Sequence, residues 1–489
     1  MIYKYALLGA TSVLIGLPGL AQSADDETVT MDTVIIEGSR LNQTATEVGS
    51  SVSVITADDI EELGLDFAVD AIAAAPGVTV SQNGSFGGQA SVRIRGAASE
   101  QTLVLIDGIP VNDPSSPGAG FNFARVDTAN IERIEILKGA QSTLWGTDAI
   151  GGVVSITTKS PEGGLGGSSF IEYGSFNTLR GGASIENANE HGDFRFAVTG
   201  ISSDGISKAD ENNGNTEDDP YEALTLSAKG GLNLGGDARL SADVNWTDAE
   251  SDFDGFVSGV PQSVGDLDNV SETEELSGNV ALTGSLFDGK LENLLLVGYS
   301  EIMREIFSDG LSSFNADGER TVYRYQGTLD INDANTLAFG ADRDESTARG
   351  DETTIDGLFA LYEVKPTNAL TLTGGLRVDD HSSFGTETTG RVAAAYNPNP
   401  QLTFRASWGQ GFKAPTIFQL TGGGFAAPNP NLQPETSETV DAGIDWRSRD
   451  GRADASITVF NSDIEILIQY ALSCYFNEAQ VESKGLELT

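Results

Sequence analysis

The sequence predicts a membrane β-barrel of antiparallel strands preceded by a small α+β domain. Three observations predict it. From about residue 165 onward, segments of alternating apolar and polar residues recur, as they do in spanning strands. The connections between those segments alternate between short and long. Beyond the N-terminus no stretch approaches the roughly 20 apolar residues of a spanning helix. A chain that enters a membrane without such helices must do so as a closed barrel, because lipid offers no partners for open backbone groups.

The 489 residues exceed one small domain, so two or more units are expected. There are 72 acidic and 28 basic residues, a net charge of −44. That balance argues against nucleic-acid binding and for acidic, water-facing loops. Glycine is abundant (58), and a hydrophobic share of 39% suits a turn-rich β protein better than a disordered acidic one. A lone cysteine, Cys474, excludes an intrachain disulfide framework. The only histidines, His191 and His381, leave little room for a zinc site or a histidine-based triad, so the protein is not expected to be an enzyme.

The opening "MIYKYALLGATSVLIGLPGLAQSADDE" has a single lysine, an apolar run from Ala6 to Leu17, then small residues. Ala21-Gln22-Ser23 fits a signal-peptidase site, so residues 1–23 are expected to be a signal peptide and the mature chain to start near Ala24. The alternative is a membrane anchor, for which the run is short.

Residues 45–160 are expected to form the globular α+β unit. Short apolar runs such as "SVSVITADDIEEL" and "TLVLIDGIPV" lack the alternation of spanning strands. Thr56 ahead of Asp58-Asp59 marks a helix start, and Pro76-Gly77 ends the next helical run. "IERIEILKGAQSTLWGTDAIGGVVSITTK" (Ile131–Lys159) reads as a strand, a glycine-closed helical turn and a second strand. Asp107-Gly108 between apolar strands signals a hairpin. Arg93 and Arg95 alternate with Val92 and Ile94, which points both arginines the same way. Either they are solvated, or acidic residues of a surrounding wall pair with them.

Residues 161–489 are expected to be the barrel. In "LSADVNWTDAE" Leu240, Ala242, Val244 and Trp246 share one face, against Ser241, Asp243, Asn245 and Thr247. "LTLSAKGGLNL", "LTFRASWG" and "LTLTGGLRVDD" repeat the pattern. About sixteen such segments can be counted, which favours a barrel over a soluble sandwich. Short turns such as "GGDA" (Gly235–Ala238) trade with long acidic loops such as "SDGISKADENNGNTEDDPY" (Ser203–Tyr221).

"VRIRGAASEQTLVLIDGIPVND" followed by "IERIEILKGAQSTLWGTDAIGGVVSITTK" resembles the plug domain of TonB-dependent outer-membrane receptors. "GQGFKAPTIFQLTGGGFAAPNPNLQPETSETVDAGIDW" (Gly409–Trp446) resembles a barrel segment of the same family. The resemblance implies a plug inside a twenty-two-stranded barrel in the outer membrane of a Gram-negative bacterium. The chain is then about six strands short and ends inside a strand at "VESKGLELT", so a C-terminally truncated barrel is expected. Gly96, Gly108, Gly139, Gly146, Gly151 and Gly152 read as plug structural positions, for positive-φ turns or close approach to the wall. Any one of them could equally be an ordinary turn.

Residues 24–44 become a periplasmic leader. Within it Asp32, Thr33, Val34, Ile35 and Ile36 resemble the TonB box, an extended β-branched segment that offers backbone groups to a partner's sheet edge. Without the resemblance, the same residues read as a first strand of the plug. The implied partners are the TonB protein, outer-membrane lipid and a scarce nutrient. The chain resembles the cobalamin type most and the ferric-siderophore type next. In the first long acidic loop Asp204, Asn215, Glu217 and Asp219 match a calcium-binding loop of that type, and Asp254 and Asp266 match its neighbour. Oxygen ligands at alternate loop positions suit Ca²⁺; a solvated acidic loop is the alternative. By the same resemblance Gln89, Ser91, Ser116 and Pro117 would touch the ligand. Ala98 departs from the type, which can present an asparagine there. Scarce basic residues disfavour an anionic ferric chelate. A passive porin would have neither plug nor TonB box, and use as a phage or bacteriocin receptor would borrow the same loops.

Overall fold

A computed structural model describes residues 36–84, 86–256 and 264–489. Residues 1–23, expected to be a signal peptide, and Asp32–Ile35 of the expected TonB box lie outside the described residues.

The N-terminal domain is a five-stranded mixed sheet with a two-stranded ribbon. Its strands are β1 (Val52–Thr56), β2 (Val78–Gln82), β3 (Ala90–Ile94), β4 (Thr102–Ile106), β5 (Ile109–Pro110), β6 (Ile131–Lys138) and β7 (Gly152–Thr158). The sheet order is β1-β6-β7-β4-β5, with β2-β3 as the ribbon. Helix α1 (Ala57–Leu63) starts at a capping box: the Thr56 hydroxyl accepts from the Asp59 amide, and the Asp59 carboxylate accepts from the Thr56 amide. Helix α2 (Ala68–Ala73) ends before Pro76, and the short α3 (Ser142–Trp145) is closed by Gly146. Asp107 and Gly108 both have positive φ (47° and 79°), so β4 turns into β5 through a primed hairpin turn. Ile94, Val104, Ile134, Ile136, Val154 and Ile156 fill the core on one side of the sheet. Leu103, Leu105, Leu137 and Val153 pack on the other, together with Ile36. The compact domain therefore reaches forward of residue 45, to at least Ile36.

The second part is a single antiparallel sheet of sixteen strands, from Gly166–Tyr173 to Cys474–Leu488, paired in sequence order. Its burial is the reverse of a soluble protein's. Leu224, Leu226, Val244, Leu376 and Val378 point out and are exposed, while Asp243, Arg377, Asp379 and Arg405 point in and are buried. An apolar exterior around a polar interior is what a spanning barrel requires. The inward charges meet the first domain, which sits inside the curved sheet as its plug. Lys229 reaches Asp107 (3.1 Å), Arg304 reaches Asp113 (3.2 Å), and Arg320 and Lys413 both reach Asp148 (3.7 and 3.1 Å).

Arg93 and Arg95 do not point the same way, contrary to the strand alternation. Arg95 lies one residue past β3 with φ +53°, and this left-handed step takes its side chain off the alternation. Arg93 stays exposed and has no ion pair among the described residues. Arg95 is 6% exposed, and its guanidinium forms a bidentate pair with the barrel's Glu487 (3.0 and 3.1 Å). Asp441 lies 3.7 Å from it, and Phe460 stacks on it.

Candidate functional site

Three regions of the plug and its wall bring the candidate residues together. The first is the segment that joins the leader to the plug. The Ile36 amide donates to the Gln43 carbonyl (2.9 Å), which closes residues 36–43 into a loop. The Glu135 carboxylate accepts from the amides of Glu37 and Gly38 (3.2 and 3.0 Å), and the Trp145 indole donates to the Gly38 carbonyl (2.8 Å). Arg40 leaves the plug surface and donates to Asp342 on the wall (3.0 Å), while its guanidinium stacks over Trp145 and Phe359. Asp342 also receives Arg324 (2.8 Å) and Arg377 (2.7 Å), so one carboxylate serves three guanidiniums. Burial draws the Arg40 pKa down to about 9 despite that carboxylate. Gln43 donates to Glu363 (2.6 Å) and Thr373 (3.1 Å), a further tie to the wall. The segment is thus pinned on both sides, and Ile36, the last residue of the expected TonB box, is fully buried with its amide bonded to Gln43, so it belongs to the plug rather than to a free extended segment.

Sequence reasoning singled out neither Arg40 nor Asp342. The inward position of Asp342 follows from its strand's alternation, but nothing in the sequence pairs two residues 302 positions apart.

The second region is the outward side of the plug. Gln89 and Ser91 belong to the β2–β3 ribbon, where Ser91 pairs with Ser81. The ribbon's tip presses on the wall: a Cβ at Gly87 would stand 2.3 Å from the Tyr221 ring, so only glycine fits there. Ser116 and Pro117 belong to the loop after β5. The Ser116 hydroxyl donates to the Asp113 carbonyl (3.1 Å), and the Pro117 carbonyl accepts from Thr416 of an outer loop (2.9 Å). The ribbon and this loop therefore meet different sectors of the wall, the ribbon tip at Tyr221 and the loop at Thr416. Gly139 has φ +81° and would bring a Cβ to 2.9 Å from the Thr439 methyl; Gly146, also at +81°, faces Arg377. Gly96 shares the positive φ but is open to solvent, and Gly151 and Gly152 pack against Ala97 and the Leu137 carbonyl within the plug.

The third region is the pair of long acidic loops. One carboxylate oxygen each from Glu217, Asp254 and Asp266 lies within 4.8 Å of the others. The Asn215 side-chain oxygen accepts from the Asp266 amide (3.4 Å), while Asp266 Oδ2 accepts from the Thr216 amide (3.1 Å). Asp266 Oδ1 is buried without a partner. Asp219 lies alongside, and burial together with Asp254 pushes its pKa up to about 6. Asp204, at the start of the loop, is not part of that carboxylate cluster, and its amide donates to the Phe176 carbonyl (3.0 Å). A hard cation suits this all-oxygen set with one orphaned, buried carboxylate oxygen.

Comparison with known proteins matches both parts of the chain to one family. The TonB-dependent receptor plug domain matches residues 44–153, and the TonB dependent receptor-like β-barrel matches residues 164–489. The chain is 28% identical to the vitamin B12 transporter BtuB of Photobacterium profundum over 512 residues, covering 99% of this chain and 80% of that one. It is 27% identical over 484 residues to the vitamin B12 transporter BtuB of Vibrio vulnificus, covering 95% and 76%. Among solved structures it resembles the siderophore receptor PirA from Acinetobacter baumannii (TM-score 0.75, 18% identity, covering 91% of this chain and 78% of that one). PirA from Pseudomonas aeruginosa is also similar (TM-score 0.71, 22% identity, covering 89% and 81%). At these identities the solved structures establish the shared fold.

Proposed function

This chain belongs to the family of TonB-dependent receptors, and from that premise we propose that it carries cobalamin across the outer membrane of a Gram-negative bacterium. Active transport through a plugged barrel is what the family does. An outer membrane holds no ATP, so the work enters through a periplasm-spanning TonB protein. Its contact on this chain is residues 32–35, which pair with it by strand addition, while Ile36, buried with its amide bonded to Gln43, anchors the end of that segment to the plug. The observation that carries the cobalamin reading is the meeting of the two acidic loops at Glu217, Asp254 and Asp266. A Ca²⁺ ion held there, with Asn215 and Asp219 close by, would order the loops above the cargo. The two relatives named as vitamin B12 transporters support the same reading along nearly the whole chain. So does the net charge of −44, which repels an anionic ferric chelate. Gln89, Ser91, Ser116 and Pro117 then meet the cargo from the plug.

The test is a titration of the receptor with cyanocobalamin in calcium and in chelator. Saturable binding that weakens in chelator is expected, and Asp219→Ala combined with Asp254→Ala should reproduce the chelator result. Equal affinity in both buffers would remove the ion from the account. Failure to bind cobalamin, with binding of a ferric siderophore, would move the cargo to that class.

A further inference from the structure

The outer face of the barrel carries an apolar groove with a charged end, and cross-strand register builds it. One row of outward side chains runs Leu295, Tyr325, Ala341, Leu358 and Val378 across neighbouring strands. The next row, nearer the outer turns, runs Tyr323, Arg343, Asp356 and Asp380. Ala341 is a methyl set between a tyrosine and a leucine that is 65% exposed, so the wall dips there. The resulting groove has a volume of about 740 Å³, within the range of small-molecule sites.

Its surroundings name its occupant. The groove's walls belong to the apolar band that faces hydrocarbon, so a chain lying in it must be apolar. At its outer end Arg343 is already engaged by Glu345 (2.7 Å) and Asp356 (3.1 Å). Among the described residues Asp380 receives only the Thr386 hydroxyl (3.3 Å). This end thus holds three carboxylates and one guanidinium, and the guanidinium engages only two of them. On the same outward face Glu222, Glu250, Glu272 and Glu305 stand directly opposite one another across four strands. Like charges so placed repel each other and would repel an anionic headgroup. We infer that the groove docks an acyl chain of an outer-leaflet lipid whose headgroup carries a cationic amine, with the chain over Ala341 and the amine against Asp356 and Asp380.

The test uses receptor extracted from outer membranes in detergent and native mass spectrometry of retained lipid. The probes are lysyl-phosphatidylglycerol and phosphatidylglycerol with the same acyl chains, each with and without Mg²⁺. The amine-bearing lipid should be retained about tenfold better, a difference easily read as an affinity ratio. Ala341→Trp, which fills the dip, should abolish retention of both lipids. Asp356→Asn combined with Asp380→Asn should keep retention and erase the preference. Equal retention of the two lipids by the unaltered receptor would overturn the inference. So would preference for phosphatidylglycerol with or without Mg²⁺, unchanged retention in Ala341→Trp, or a second receptor copy in place of lipid.

Discussion

Asp342 shows how much of the plug's attachment can rest on one side chain. It is buried and shared by Arg40, Arg324 and Arg377, so removing it leaves three guanidiniums without their common anion. Breaking a buried ion pair from one side costs about 3–5 kcal/mol, because the orphaned charge stays buried. Asp342→Asn should fall in that range in urea denaturation of the receptor. Arg40→Met should cost less, since Asp342 keeps two partners and methionine retains contact with Trp145 and Phe359. If Arg40→Met costs more, the stacking carries the attachment rather than the shared carboxylate. At this scale the sequence reveals which way a residue faces more readily than whom it meets. Arg95 is the exception to the first half: one left-handed residue after β3 separates it from Arg93, and a period of two cannot anticipate that step.

At the scale of elements, the turn after β6 is fitted to the wall. Gly139→Ala would meet two costs, about 1–2 kcal/mol for a left-handed backbone and a Cβ 2.9 Å from the Thr439 methyl. Thr439→Ser removes that methyl while keeping the hydroxyl that pairs with Ser462. Adding it to Gly139→Ala should therefore recover part of the lost stability, and thermal unfolding of the single and double variants measures it. Full recovery would remove the backbone cost, and none would remove the contact. Elements of this kind are legible beforehand because they depend on local chemistry. The Thr56–Asp59 capping box, the Asp107-Gly108 hairpin and the strand–helix–strand unit over 131–159 all lie where their residue types call for them. The acidic loops are half legible. The resemblance pointed to Asp204 as readily as to Asp254, yet only Asp254 joins the carboxylate cluster, while the Asp204 amide is bonded to Phe176.

For the whole molecule, the sixteen strands could be counted from alternation because lipid outside and a charged plug inside impose opposite chemistry on successive residues. How residues 36–43 are pinned to plug and wall is less visible in sequence, since the contacts join residues about a hundred to three hundred positions apart. In the proposed function, residues 32–35 couple transport to an external source of work without building the cargo site. Strand addition needs consecutive backbone donors, and proline removes one while fixing φ. The most direct measurement compares cyanocobalamin binding to de-energised cells with accumulation in energised cells, for the unaltered receptor, Val34→Pro and Ile35→Ala. Val34→Pro should abolish accumulation and leave binding nearly unchanged, while Ile35→Ala should do much less because backbone pairing carries the contact. Loss of binding together with accumulation in Val34→Pro would make the segment part of the plug's fold, and loss of neither would place the coupling site elsewhere.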